Sequence, residues 1–404
     1  MGTATNPNDT DLPVFPGERA ARCPFNPPAE YARWREEEGL RQVNWNGHTV
    51  WAVSRYEDIK TAMTDPRISA QALALQSNGA HEGPDAPDIF PRMDDPGHAR
   101  LRRMLTKDFT VRRVDAMRPR IEEMANGFID KMVAKGSPAD LVPDYALPIP
   151  SLVISLLLGV PYTDHDFFQK ITATVMNMNV PREEKAQASR EFFGYMLELV
   201  ARKEREPGDD LISRLVREHV QTGELRRESA AMNGVILLNA GHETTANMIS
   251  LATVALLENP DMASALRDTD DPKAIANAVE ELLRYLTIVH SLVARVAKED
   301  VEIGGRLIKA GEGLIMNLPA GNWDPDFTDR PDTLDIDRSA RGHLAFGYGV
   351  HQCLGQTLAR AELQIALPTL LRRLPGLRLA VPIEEIRFRN DMSIYGVHEL
   401  PVTW

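Results

Sequence analysis

Phe346-Gly347-Tyr348-Gly349-Val350-His351-Gln352-Cys353-Leu354-Gly355 runs directly into Gln356-Thr357-Leu358-Ala359-Arg360-Ala361-Glu362. The second half is a clean helix opening, so one cysteine stands at a helix N-terminus. Unpaired backbone N–H groups and the positive end of the helix dipole favour a thiolate there, and the glycines let the backbone pass close to a flat ligand. This arrangement suits an axial thiolate for haem iron. For a cysteine taken alone, the alternative is a structural thiol beside a glycine turn. Zinc is disfavoured, because no second cysteine stands within two to four residues and Cys23, the other of the chain's two, lies in a different segment.

Upstream, Ala240-Gly241-His242-Glu243-Thr244-Thr245 interrupts the longest helix candidate, Glu228 to Glu258, which Asn259-Pro260 stops. Its middle (Val235, Ile236, Leu237, Leu238, Ala240) is apolar on every face, the mark of a buried helix. A carboxylate in a dry interior must find partners or change its protonation, and acid beside alcohol is the equipment of proton delivery. The competing reading is a threonine bonding back within the helix beside a solvent-facing glutamate. Gly241 is expected to leave room for dioxygen. His242-Glu243 is no metalloprotease motif, since the position four after His242 is Ala246.

Glu281 and Arg284 lie one helical turn apart amid Val279, Leu282, Leu283 and Leu286. His98 and Arg102 share a helix face at i, i+4, and Arg295 follows the Glu281 helix. Each could pair with a carboxylate of a ligand; as isolated charges they read more readily as surface decoration.

The rest of the chain frames these signals. Its 404 residues are 43% hydrophobic and 26% charged, an ordinary globular composition with ample core. Asn46-Gly47 separates Val43–Trp45 from Thr49–Val53, and Gly304-Gly305 separates Val301–Ile303 from Arg306–Ile308, which predicts two hairpins; a further β-rich stretch closes the chain near Leu400–Trp404. Helical spacing covers Asp95–Lys107, Arg112–Lys135, Asp164–Met178, Arg182–Glu206 and Pro272–Leu286. Arg67–Asp94, rich in Gly and Pro, reads as a loop able to carry binding residues. Residues 1–28 hold six prolines and read as an extended lead-in, followed by a single domain over 29–404. The fold class is mainly α with small β-sheets.

Taken together, these residues resemble the cytochrome P450 family, the haem-thiolate monooxygenases. The resemblance runs from the Asn46-Gly47 hairpin to the C-terminus, with three signatures in the family's order. It implies the P450 fold, with haem b (iron protoporphyrin IX) between the long central helix and the helix after Cys353. It implies Cys353 as proximal iron ligand, Glu243 and Thr244 as the acid–alcohol pair, and His98, Arg102, Arg295 and His351 as contacts to the haem propionates. Glu281 and Arg284 become a structural lock, joined by Arg338 of the Leu334-Asp335-x-x-Arg338 segment. Within the family the chain is similar to soluble actinomycete enzymes that hydroxylate secondary metabolites and foreign compounds; the ending Glu399–Trp404 fits that group, whereas Trp323 replaces a common Arg.

The expected reaction is insertion of one oxygen atom from O2 into a C–H bond or alkene of a small, mainly apolar molecule. Phe90, Leu237, Ala240, Val289, Leu292 and Ile394 are its expected walls, with His290 facing solvent. No flavin- or nicotinamide-binding segment is evident, so electrons are expected from a separate ferredoxin and ferredoxin reductase. Arg100–Arg120 holds eight basic residues against two acids and is the expected docking face. A net charge of −12 argues against nucleic acid and anionic membranes as partners. Met1–Thr10 lacks the pattern of a signal peptide and no run is long enough to span a bilayer, which together with scarce cysteine predicts a cytoplasmic setting. The rival from another class is a haem-thiolate protein that senses a small molecule without oxidising it; a haem-free helical protein is the third reading.

Overall fold

The computed structural model describes residues 12–19, 24–37, 39–72 and 86–404. Cys23 and Met1–Thr10 lie outside the described residues, as does the middle of the Arg67–Asp94 loop. In chain order the main helices are α1 (Ala29–Glu37), α2 (Tyr56–Thr64), α3 (Gly97–Thr106), α4 (Val111–Lys135), α5 (Pro148–Leu158), α6 (His165–Met176), α7 (Arg182–Arg205), α8 (Arg227–Leu257), α9 (Pro260–Asp268), α10 (Pro272–Leu286) and α11 (Gln356–Arg373). The strands are β1 (Leu40–Trp45), β2 (His48–Val53), β3 (Ile68–Ser69), β4 (Ala139–Asp140), β5 (Ala294–Ala297), β6 (Val301–Ile303), β7 (Arg306–Ile308), β8 (Gly313–Met316), β9 (Arg378–Leu379) and β10 (Pro401–Thr403). The chain divides into two compact units, one comprising residues 1–77, 283–334 and 340–353, the other residues 78–282, 335–339 and 354–404.

The first unit is built on a five-stranded sheet of order β1-β2-β8-β5-β3. Asn46 and Gly47 take positive φ (52° and 82°), the conformation that a two-residue turn needs, and β1 pairs with β2 from Leu40↔Val53 to Trp45↔His48. β2 then pairs in parallel with β8, Val50 opposite Gly313, while β8–β5 and β5–β3 are antiparallel. Gly304 and Gly305 turn β6 into β7 in the same way. One face of the sheet buries Leu40, Val53, Leu314 and Met316 with Ile59 of α2; the other buries Val43, Val50, Ala52 and Ile315 with Tyr31 and Trp34 of α1. Phe15 joins that second cluster and its N–H donates to the carbonyl of Asn44 at 2.8 Å.

The second unit is helical around α8, most of whose 31 residues are buried because α5, α7 and α11 pack against it. α4 lies along α11 and ends at Gly136, where φ of 96° turns the chain. A small sheet of order β4-β10-β9 ties the C-terminus into this unit. The α8 bounds agree with the predicted Glu228–Glu258 to within one residue, since Pro260 cannot continue the helix.

Candidate active site

In the first unit the cysteine loop is shaped by its own backbone. Cys353 N–H donates to the Phe346 carbonyl at 2.8 Å, and Gly347 N–H to that of Leu344 at 2.8 Å. Gly347 and Gly349 hold φ of 70° and 71°, and α2 leaves no space for side chains there: a Cβ would stand 3.2 Å from Met63 Cε at Gly347 and 3.1 Å from the Met63 carbonyl oxygen at Gly349. Both glycines are therefore required by their φ, and Gly349 also by the backbone oxygen beside it. His351 ends a short 3-10 turn (Gly349–His351), and Cys353 follows it, exposed. Arg295, on β5, is buried, with Nη1 donating to the Ala294 carbonyl at 2.8 Å. Val289 packs on the sheet core and Leu292 is 42% exposed. His290 is buried, contrary to the expectation that it faces solvent; the segment between α10 and β5 folds it inward.

In the second unit, His98 on α3 is buried with Nδ1 3.1 Å from Asp95 Oδ1, and burial pulls its pKa below the ordinary imidazole value. Arg102 is half-buried one turn on. Arg92, upstream, is desolvated enough that burial lowers its pKa, and it has no ion pair among the described residues.

Around α8 the two competing readings each hold in part. Thr244 does bond back within the helix, Oγ1 donating to the Ala240 carbonyl at 2.6 Å. Glu243, however, is buried, its Oε2 receiving Arg389 Nη1 at 2.9 Å and Asn247 Nδ2 at 3.0 Å; the same Arg389 nitrogen donates to Asn247 Oδ1 at 2.9 Å. Acid and alcohol are thus neighbours in sequence with separate partners. Gly396 lies on this cluster, where a Cβ would overlap the Asn247 side-chain oxygen. The room beside Gly241 is filled by Ile154 of α5, 2.8 Å from where a Cβ would stand, so this glycine serves close helix packing. His242 points elsewhere. It is buried edge-on to Phe168 of α6, neither ring nitrogen has a partner among the described residues, and burial lowers its pKa to about 4. Leu237, Ile394 and Phe90 are buried, and Ala240 is exposed on the Thr244 face of the helix.

Arg389, Asn247 and Glu362 escaped the sequence reading. Glu362 on α11 is wholly buried with Oε2 unpartnered among the described residues, and burial pushes its pKa well above the ordinary carboxyl value. Asn247 sits at i+4 from Glu243, a spacing that could have exposed it.

Glu281 and Arg284 both lie on α10. Arg338 Nε stands 3.5 Å from Glu281 Oε1, which also accepts Asp335 N–H at 3.0 Å. Within the first unit Arg284 reaches the carbonyls of Asn322, Pro331 and Thr333 at 3.0, 2.8 and 3.2 Å. Trp323 stacks on Tyr285 and donates its indole N–H to the Tyr285 carbonyl at 2.9 Å, so an aromatic contact occupies that position.

The basic surplus of Arg100–Arg120 is smaller than its sequence balance of six. Lys107 pairs with Glu218 at 2.7 Å, Arg113 with Asp209 at 3.8 Å and Arg120 with Glu123, all acids from outside the segment. Arg103 and Arg112 are exposed without an acidic partner among the described residues. No helix of the described residues is long and apolar enough to cross a membrane.

Residues 35–376 match the cytochrome P450 family. Cytochrome P450-SU2 of Streptomyces griseolus is 49% identical, covering 100% of both chains, and the vitamin D3 dihydroxylase of the same organism is 44% identical over 100% of this chain and 99% of its own. Among solved structures, CYP105P1 in complex with filipin I superposes with a TM-score of 0.90 at 42% identity, covering 98% of this chain and 99% of that one. Matched by the family over residues 35–376 and by a relative along its whole length, the chain belongs to the cytochrome P450 family of haem b-binding monooxygenases.

Proposed function

We propose that this chain hydroxylates a C–H bond, or epoxidises an alkene, of a mainly apolar secondary metabolite or xenobiotic, using O2 and electrons from a separate ferredoxin and ferredoxin reductase in the cytoplasm. The observation that carries the reading is Thr244 on the accessible stripe of α8, directly after a buried Glu243 held by Arg389 and Asn247. The donor set fits haem b. An exposed thiol suits the iron, and a desolvated Arg92 without an acidic partner among the described residues suits a region that receives carboxylates. Cys353 would ligate the iron, and His98, Arg102, Arg295 and His351 would hold the two carboxylates.

When bound, the haem supplies dioxygen activation, assisted by its thiolate ligand. The chain's own residues govern protons. Thr244 gives its hydrogen to the Ala240 carbonyl, which leaves the oxygen lone pairs to accept a bond on the accessible face. Turning the hydroxyl away from Ala240 makes it a donor, at the cost of one hydrogen bond of about 1 kcal/mol. Once it leaves Arg389, Glu243 can take a proton from solvent and pass it towards Thr244, so the Arg389–Asn247 pair sets its resting position.

Leu237, Ala240, Ile394, Phe90, Val289 and Leu292 offer apolar contact, and among the similar proteins one is named a vitamin D3 dihydroxylase and one was solved in complex with filipin I. A mainly apolar molecule of moderate size is the proposed substrate class. The test is Thr244→Ala, assayed with surrogate ferredoxin and reductase on vitamin D3 and filipin I. Product per NADPH consumed should fall by about a hundredfold, the low end of general acid–base effects, while the carbon monoxide difference spectrum stays that of the parent. Unchanged coupling removes Thr244 from proton delivery, and a parent that oxidises neither probe nor a wider apolar panel refutes the oxygenase reading.

A further inference from the structure

Residues 86–90 lie against the first two turns of α8, held by side chains where a strand would be held by another strand. Asp88 N–H donates to Ser229 Oγ at 2.9 Å, and the Asp88 carbonyl accepts Asn233 Nδ2 at 2.7 Å. Phe90 N–H donates to Asn233 Oδ1 at 3.1 Å, and the Ala86 carbonyl accepts Arg226 Nη2. All four backbone groups belong to alternate residues, the pattern of one edge of an extended chain, and Ile89 between them is extended (φ −122°, ψ 100°). The spacing also matches. One helical turn from Ser229 to Asn233 advances about 6 Å and two extended residues advance about 6.6 Å, so the strap and the helix stay in step.

The stripe of α8 that grips the strap continues along the helix at intervals of three and four residues: Arg226, Ser229, Asn233, Leu237, Ala240, Thr244. Ser229 and Asn233 are fully buried, and Asn233 Nδ2 also donates to the Ser229 carbonyl at 2.7 Å, which fixes its rotamer. Shifting the strap would strand these groups in the interior, so its register is held firmly. Phe90, at the end of the strap, therefore has a set distance along α8 from Leu237 and Ala240.

We propose that Asn233, assisted by Ser229, is a specificity-determining positioning residue, which locks Phe90 in register on α8 and thereby limits the size of apolar molecule the site accepts. This deepens the oxygenase reading and rests on its placing of Phe90, Leu237 and Ala240 at the substrate.

The test uses the haem-loaded full chain and two azoles that share iron coordination and differ in bulk, 4-phenylimidazole and clotrimazole, titrated optically. Asn233→Leu should keep the 4-phenylimidazole dissociation constant within about twofold and lower that of clotrimazole about tenfold, the scale of one buried hydrogen bond to a backbone group. Backbone amides of Asp88 and Phe90 should exchange hydrogen faster in the same variant. Ser229→Thr, which keeps the hydroxyl, should match the parent, and Ser229→Ala should shift in the direction of Asn233→Leu. Thr253→Val removes another buried bond of α8, to the Ile249 carbonyl at 2.8 Å, far from the strap and should move neither readout. An unchanged azole ratio, parent-like exchange at Asp88 and Phe90, or an equal shift in Thr253→Val would overturn the proposal. A parent that binds both azoles yet oxidises nothing defeats the oxygenase reading alone, and the azole ratio still decides the role of Asn233.

Discussion

Arg389→Met is the sharpest probe of the α8 cluster. It takes the guanidinium from Glu243 Oε2 and Asn247 Oδ1, both at 2.9 Å, and leaves the carboxylate with only the Asn247 amide at 3.0 Å. The two charged side chains are 11% and 6% exposed, so solvent screens little of the loss. Removing one partner of a buried ion pair costs about 3 kcal/mol or more, chiefly because the other charge is left uncompensated. Glu243→Gln should cost a similar amount by stranding Arg389. The double variant holds no buried charge and should cost no more than either single, so the two changes should fall short of additivity by about 3 kcal/mol. Urea unfolding of the haem-loaded protein at fixed pH measures all four species. Additivity within about 0.5 kcal/mol would mean that the pair does not hold Glu243, and the account of its resting position fails.

His242 stays neutral in the folded protein down to about pH 4, whereas the unfolded chain protonates it near 6.5. Acidification through that window should lower stability by about 3 kcal/mol, and none of this loss occurs above it. Glu243, Arg389 and His165 are the charged groups acting on the ring, with burial the larger influence. His242→Phe should flatten the acid limb of a urea-midpoint profile between pH 6.5 and 4; an identical profile would contradict the burial argument. Gly241→Ala should destabilise by about 1–3 kcal/mol through overpacking against Ile154, and Ile154→Ala should relieve it; a neutral Gly241→Ala would show the space is not needed for packing. If Arg103 and Arg112 guide an acidic ferredoxin, Arg103→Glu with Arg112→Glu should slow reduction at low salt by about tenfold and flatten its salt dependence, which stopped-flow rates at several ionic strengths would check.

Helix positions were legible wherever apolar spacing ended on a breaker. Pro272–Leu286 is found as predicted, and Arg112–Lys135 is off by one residue at its start. The two hairpins were legible because positive φ demands Asn or Gly. The parallel pairing of β2 with β8 was not, since nothing in either strand names a partner so remote. The same holds for Glu243. Its burial followed from the apolar helix around it, yet Arg389 lies 146 positions away, and an isolated arginine in an irregular segment carries no periodic signal. The strap at Ala86–Phe90 was hidden because backbone groups held by side chains leave no pattern in the residues that own those groups. His290 was misplaced because a single polar residue between elements has no face from which to judge burial.

The pairing of β2 with β8 sets a delay during synthesis. Val53 leaves the ribosome about 260 residues before its neighbour in the sheet, which at about 10 residues per second leaves the first hairpin without that neighbour for roughly half a minute. Through that interval its outer edge, carrying Val50, Trp51 and Ala52, is open to any other strand in reach. Yield of the native protein should therefore depend on translation speed and on chaperones that shield nascent chains more than on the stability of the finished sheet.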